Sequence, residues 1–385
     1  MALNEPKSPG PAEALEALLQ ECVRLDASDL HLAPGMAPFY RIHGDLLPHE
    51  TYAPLDREEV DALCGELLRW SGDEGLKKTG SQDGALTAVG ATRFRFNVYR
   101  RLGGMSAAIR RLEEKFRTLG ELGLPESIYQ FCDLPDGIVV VAGPTGAGKS
   151  TTLAALIDRI NRSRRTHIVT IEDPIEYIHV PDLSLVDQRQ VGSDTSSFND
   201  ALVASLREDP DVILVGEVRD LNTIRTAIRA AETGHLVFTT VHAGDCVGTI
   251  ERLVSVFPAD EQAGIRQQLS LVLRAIVTQH LLPRDGAVAA EEGLKAGSRG
   301  RVVASELLIA NPAIAHLVSS GRSTHIYTAM EGGGRAGMRT LEQDLARLWV
   351  EGHVSEATAV SASRNPQIVR DRASMMARRG AGARS

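Results

Sequence analysis

Gly137-Ile-Val-Val-Val-Ala-Gly-Pro-Thr-Gly-Ala-Gly-Lys-Ser-Thr151 decides how this chain is read. It opens on an apolar run, Gly137 to Ala142, with no polar alternation, as expected of a strand buried on both faces. A glycine-rich turn follows, and then Leu153, Leu156 and Ile160 share one face of a helix. Gly143 to Ser150 fits the phosphate-cradling pattern G-x-x-x-x-G-K-[ST] in its required strand–turn–helix setting. The glycines let backbone N–H groups close around phosphate oxygens, and the helix N-terminus adds a favourable partial charge. Lys149 is placed to neutralise terminal phosphates and Ser150 to hold Mg2+. The expected nucleotide site is therefore Gly143, Pro144, Thr145, Gly146, Ala147, Gly148, Lys149, Ser150 and Thr151, taking ATP and Mg2+.

Three more Val/Ile/Leu-rich runs follow: His167 to Ile171, Asp211 to Gly216 and Leu236 to Val241. Helical patterns separate them. Leu221, Ile224, Ile228 and Ala231 repeat at helical spacing between Asp220, an expected N-cap, and Gly234, an expected stop. The fold class is α/β with a parallel sheet covered on both faces. Ligands of such sheets bind outside the carboxyl ends of the strands. Glu172-Asp-Pro-Ile-Glu176 follows the second run, Glu217 the third and His242 the fourth, so one crevice is expected to collect them beside the P-loop. Phosphoryl transfer to water needs one group to orient or deprotonate the water and another to hold the magnesium shell. Glu176 and Glu217 suit these tasks. His235 and His242 carry less weight on chemistry alone, since a histidine near a strand end is more often a hydrogen-bonded structural residue. Near a terminal phosphate they could report its presence to the sheet.

Outside this core, residues 1–13 are rich in Pro, Gly, Ser and charge and read as a loose tail, and Glu13 to Leu25 has helical spacing. Strand-like runs at Leu30–Leu32, Pro38–Ile42, Thr92–Tyr99 and Met105–Leu112 predict a small α+β domain over 14–114. Strand alternation puts Arg93 and Arg95 on one face, opposite Phe94 and Phe96. A charged, glycine-bearing linker, 115–125, leads to the second domain, 126–363. Arg284 to Arg301 reads as an exposed insertion before a strand at Val302–Ile309, and helical patterns resume after Pro312. Residues 364–385 carry six arginines against one aspartate and predict a disordered basic tail. The net charge of −8 and 4% aromatic content argue against a broad nucleic-acid surface. Cys22, Cys64, Cys132 and Cys246 form no CxxC pair, so reduced, buried thiols are expected. No apolar stretch approaches the roughly 20 residues that span a bilayer, and a cytoplasmic protein is expected.

The order GPTGAGKST (143–151), TIEDPIEY (170–177), LREDPDVILVGEVRD (206–220) and AAETGHLVFTTVHAGD (230–245) resembles the Walker A, aspartate box, Walker B and histidine box of the type II/type IV secretion ATPase superfamily. SDLHL (28–32) and ATRFRFNVYRR (91–101) resemble its PAS-like N-terminal domain. The resemblance covers roughly residues 20 to 350. It implies a RecA-like P-loop NTPase domain behind a smaller PAS-like domain. It also implies Glu176 as catalytic carboxylate, Glu217 as the Walker B glutamate near magnesium, His235 and His242 as the paired histidines, and trans-acting arginines among Arg93, Arg95, Arg100 and Arg101.

The short N-terminal part and the lack of a tetracysteine motif resemble the type IV pilus retraction branch. The AIRLIP-like motif of that branch keeps its apolar frame at Ala313-Ile-Ala-His-Leu-Val318, with Ala315 where arginine is expected. The implied protein is a homohexameric ATP-driven motor at the cytoplasmic face of the inner membrane. It would pass force to an inner-membrane platform protein, alone or beside a second pilus motor ATPase. An extension or type II secretion motor is the alternative within the class. A RecA-like nucleic-acid translocase is the alternative outside it, disfavoured by the acidic balance.

Overall fold

The computed structural model describes residues 10–42, 45–112, 116–285 and 300–382. They fall into two compact units, Met1–Lys115 and Phe116–Ser385.

The first unit contains helices α1 (Pro11–Arg24), α2 (Arg57–Ser71) and α3 (Glu74–Lys78). Its strands are β1 (Asp29–Leu32), β2 (Phe39–Ile42), β3 (Asp45–Pro48), β4 (Ser81–Ala88), β5 (Thr92–Arg101) and β6 (Gly104–Arg111). The strands form one antiparallel sheet in the order β3-β2-β1-β6-β5-β4. Asp56 starts α2 through a reciprocal cap: its carboxylate accepts from Glu59 N at 2.8 Å while Glu59 accepts from Asp56 N at 2.7 Å. Along β5, Phe94, Phe96 and Val98 are buried and Arg93 and Arg95 face the other way. The buried face packs with Leu15, Leu18 and Leu19 of α1 and Leu63 and Leu67 of α2. The expected loose tail is shorter than 1–13, because α1 begins at Pro11; residues 1–9 lie outside the described residues.

In the second unit the strands are β7 (Gly137–Ala142), β8 (His167–Glu172), β9 (Leu185–Gln190), β10 (Val212–Val215), β11 (Leu236–Val241), β12 (Leu273–Pro283) and β13 (Arg301–Ile309). The sheet order is β13-β12-β7-β11-β10-β8-β9, parallel throughout except for the β12–β13 pair. Helices α4 (Lys149–Ser163), α5 (Phe198–Ser205), α6 (Leu221–Glu232), α7 (Cys246–Ser255) and α8 (Gln262–Val272) cover it. Alternation along β7 explains its unbroken hydrophobicity. Ile138 and Val140 enter a core with Ile224, Ile228, Ile250 and Leu269, whereas Val139 and Val141 enter the opposite core with Leu153, Leu156 and Ile160. The expected linker is not a free connection: Leu119 and Leu124 are buried in that second core, and Lys115 lies outside the described residues. Of the insertion expected at 284–301, residues 286–299 also lie outside them.

The chain continues through α9 (Pro312–Ser319), α10 (Ile326–Gly332), α11 (Leu341–Val350), α12 (Glu356–Ala362) and α13 (Pro366–Gly382). Helix α13 corrects the expectation of a disordered tail. Val369 and Ala373, one helical turn apart, are buried with Leu341, Leu345 and Leu348 of α11. Arg370 pairs with Glu356 at 3.0 Å and Arg372 with Glu331 at 3.4 Å, so part of the basic charge is matched within the fold. Residues 383–385 lie outside the described residues. Truncation after Asn365 is expected to uncover this core and lower Tm by several degrees, at about 2–4 °C per kcal/mol for a domain of this size. Calorimetry showing an unchanged Tm would mean that α13 contributes nothing to the fold.

Candidate nucleotide site

The turn after β7 owes its shape to β12. A Cβ at Gly143 would lie 2.5 Å from the Gln279 carbonyl oxygen, and φ there is 149°. Gly148, at φ 87°, turns the chain into α4. Lys149 is 9% exposed, and its Nζ donates to Gly143 O at 2.9 Å and Pro144 O at 3.1 Å. Burial holds its ammonium below the usual lysine range, while the negative charges of Glu217 and Glu176 oppose that shift. Glu176 and Glu217, up to 68 positions away in the sequence, thus both bear on the Lys149 ammonium. Ser150 stays exposed at the mouth. Thr151 Oγ1 accepts from Tyr177 OH at 3.2 Å, and Thr152 exchanges hydrogen bonds of 2.9 and 3.1 Å with the Gln279 amide.

Glu217 follows β10. Its carboxylate lies 2.5 Å from Arg219 Nη2 and 3.3 Å from His242 Nε2. His242 sits at the carboxyl end of β11, as expected. Glu172, which ends β8, shares a pocket with Ser150, Tyr177, His179 and Thr240. Burial pushes its carboxyl up to about 7, against hydrogen bonds from Thr170 at 2.8 Å and Gln188 at 3.4 Å. His179 stacks on Phe116 with ring centroids 4.7 Å apart, and burial pushes its imidazole down to about 4. Sequence reasoning did not single out Glu172, Tyr177, His179, Arg219 or Gln279. The first four lie inside or beside quoted motifs, whereas Gln279 had no local signal.

His235 does not join this group. Its Nδ1 lies 2.9 Å from Ala230 O at the amino end of β11, closing the end of α6. The six residues of β11 lie between it and His242, a separation of roughly 23 Å over seven rises of about 3.3 Å. Strand direction therefore puts the two histidines at opposite ends of β11, with His235 away from the carboxyl end where the P-loop lies.

Arg93, Arg95, Arg100 and Arg101 all lie on β5 of the first unit. Neighbouring strands in register bring Arg41, Asp29, Arg110 and Arg95 into one row. Asp29 takes Arg110 at 2.8 Å and Arg41 at 3.8 Å, leaving the row net positive. Among the described residues Arg95, Arg100 and Arg101 make no ion pair. All four cysteines are buried and free. Among the described residues no helix is long and apolar enough to cross a membrane.

A P-loop beside carboxylates at the carboxyl ends of a parallel, doubly covered sheet defines the nucleotide site of a RecA-like P-loop ATPase. The chain belongs to the Type II/IV secretion system protein family, whose profile matches residues 7–357. Within the family it is similar to proteins named for pilus retraction and twitching motility. It is 41% identical over 350 residues to the "Type IV pilus retractation ATPase PilT" of Pseudomonas aeruginosa, covering 91% of this chain and 98% of that protein. It is 38% identical to a "Twitching motility protein" of Neisseria gonorrhoeae, covering 86% of this chain and 85% of that one. A solved structure, "Crystal Structure of the Pilus Retraction Motor PilT and Bound ADP", superposes with a TM-score of 0.83 at 41% identity. It covers 92% of this chain and 97% of its own.

Proposed function

We propose that this chain hydrolyses ATP with Mg2+ and, as a homohexamer, drives type IV pilus retraction. The observation that carries the hydrolytic reading is the P-loop with its buried Lys149 ammonium at the carboxyl end of a parallel sheet, where Glu217 and His242 also stand. Retraction is supported by the relative named for it, whose length this chain matches almost completely. The motor would act at the cytoplasmic face of the inner membrane on a platform protein, with a second pilus motor ATPase as an optional partner. Its ATPase should not respond to DNA or RNA.

Lys149 has to leave the Gly143 and Pro144 carbonyls for the terminal phosphates. The exposed Ser150 hydroxyl and the Glu217 carboxylate fit a magnesium ion, which keeps several waters and binds through few protein oxygens plus substrate phosphates. When bound, the ion neutralises charge developing on the phosphates. Glu176 orients the attacking water and takes its proton. Glu217 is held in place by Arg219 and His242.

Glu176→Gln and Glu217→Gln each keep shape and lose charge. Both are expected to bind ATP near the wild-type affinity and to turn over at least about 100-fold more slowly, the lower range for loss of a proton-transfer group. Wild-type turnover in either variant removes its assigned role. In cells, deletion of the gene should give hyperpiliated, non-motile bacteria; bald cells would instead mean extension.

A further inference from the structure

Arg364, in the link between α12 and α13, gathers three acidic side chains that the sequence scatters over almost 100 residues, from Asp245 to Glu342. Its Nη1 lies 2.9 Å from Asp245 Oδ2 and its Nη2 2.6 Å from Glu306 Oε2. Its Nε lies 3.8 Å from Glu342 Oε1, which also accepts from the Arg364 backbone N–H at 3.2 Å. The guanidinium covers the Tyr327 ring, 4.7 Å from its centroid. Glu306 and Glu342 are each only 1% exposed, so although the Arg364 side chain is 38% exposed, two of its three carboxylate partners are held out of water.

Both oxygens of each fork partner are used, and both lead to the start of α7. Glu306 Oε1 accepts from Cys246 N at 2.8 Å, while Asp245 Oδ1 caps the helix by accepting from Gly248 N at 2.6 Å. The residues just before that cap are the turn that carries His242 against Glu217. The same turn is held from β12, where His280 Nε2 lies 2.9 Å from Gly244 O, and the adjacent Gln279 grips Thr152 in the P-loop helix. The turn is thus pinned on one side by the nucleotide-binding sheet and on the other by the C-terminal helices.

We propose that Arg364 is a positioning residue for hydrolysis: from the C-terminal helical layer it fixes the 242–245 turn, and through it the His242–Glu217 pair. The proposal rests on the ATPase reading above. Arg364 has as side-chain partners Asp245, Glu306, Glu342 and the Tyr327 ring, none of them in the P-loop. Its effect belongs in kcat, because the pair it orients acts at the reacting phosphate, while the P-loop that binds nucleotide is built from other residues.

In the full chain, Arg364→Gln should lower kcat about 10-fold to 100-fold, the scale on which misplacing a positioned group acts. KM for ATP should stay within about twofold, as expected when ground-state binding is spared. Amide exchange across residues 243–248 should quicken. The same variant leaves Glu306 and Glu342 buried without a counter-charge, so two further variants separate positioning from folding. Arg364→Met/Glu306→Gln/Glu342→Gln removes the buried charges together and should restore Tm without restoring kcat. Arg364→Lys keeps the charge but lacks the planar fork that spans Asp245 and Glu306, so it should stay folded with kcat still reduced. Wild-type kcat in Arg364→Lys or Arg364→Gln overturns the proposal. So does recovery of both Tm and kcat in the triple variant, which would make Arg364 a neutraliser of buried charge and nothing more. A wild-type chain that hydrolyses no ATP is a different result and sinks the ATPase reading itself.

Discussion

Lys149→Ala is expected to abolish ATP turnover and to weaken ATP binding by roughly 10-fold to 100-fold, the loss of a charge-assisted contact worth about 1.5–3 kcal/mol. Turnover suffers more than binding because the same ammonium meets charge that grows on the transferring phosphoryl group. A second effect adds to the first. Lys149 offsets the negative charge of Glu176 and Glu217, and without it Glu217 keeps only Arg219 and His242 as partners among the described residues while the site becomes less favourable to an incoming polyphosphate. Stability is not the cause, since among the described residues the Lys149 ammonium hydrogen-bonds to two carbonyls of its own loop. Calorimetric titration with ATP, alongside a melting curve of the same sample, separates these contributions. Wild-type affinity in a folded variant would show that the phosphates do not sit where the loop geometry puts them.

What could be read in advance follows from how far apart the deciding residues lie in the chain. β7, β8, β10 and β11 were legible to within a residue or so, because a strand buried on both faces writes an unbroken apolar run. β9 was not: Leu185–Gln190 is an edge strand in which only Val186 is buried, so its polar face hid it. β12 was missed for another reason. Leu273 is both the C-cap of α8 and the first residue of the strand, leaving no turn signal between helix and strand. Helix α13 buries only Val369 and Ala373 of its described side chains, too thin a stripe to outweigh its four arginines in composition.

The site divides in the same way. The P-loop is a local motif and was legible whole. Glu217 and His242 were placed by the rule that ligands gather at the carboxyl ends of parallel strands. His235 stands seven positions before His242 and looked like its partner, yet β11 runs between them and sends it to the opposite end of the strands. Gln279 and Arg364 enter only through strand pairing and helix packing, neither of which leaves a mark in their neighbours.

Catalysis is expected to need a second copy of the chain, because the arginines of β5 belong to the unit that does not hold the P-loop. The row Arg41–Asp29–Arg110–Arg95 suits them to an anion. Asp29 is committed to Arg110 and Arg41, and Arg95 continues the row with no carboxylate of its own among the described residues. An arginine that reaches a transferring phosphate from a neighbouring subunit is worth on the order of 10³-fold or more in turnover, whereas a solvated one is worth almost nothing. The two cases are far enough apart for a mixing experiment. Arg93→Ala/Arg95→Ala should be inactive with its P-loop intact, and Lys149→Ala inactive with its arginines intact. In mixed oligomers some interfaces pair a sound P-loop with sound arginines, and ATPase activity should rise above that of either variant alone. Phosphate release measured across mixing ratios should peak at intermediate composition. No recovery after subunit exchange has been verified, or normal hydrolysis by the double arginine variant, would remove these arginines from the reaction.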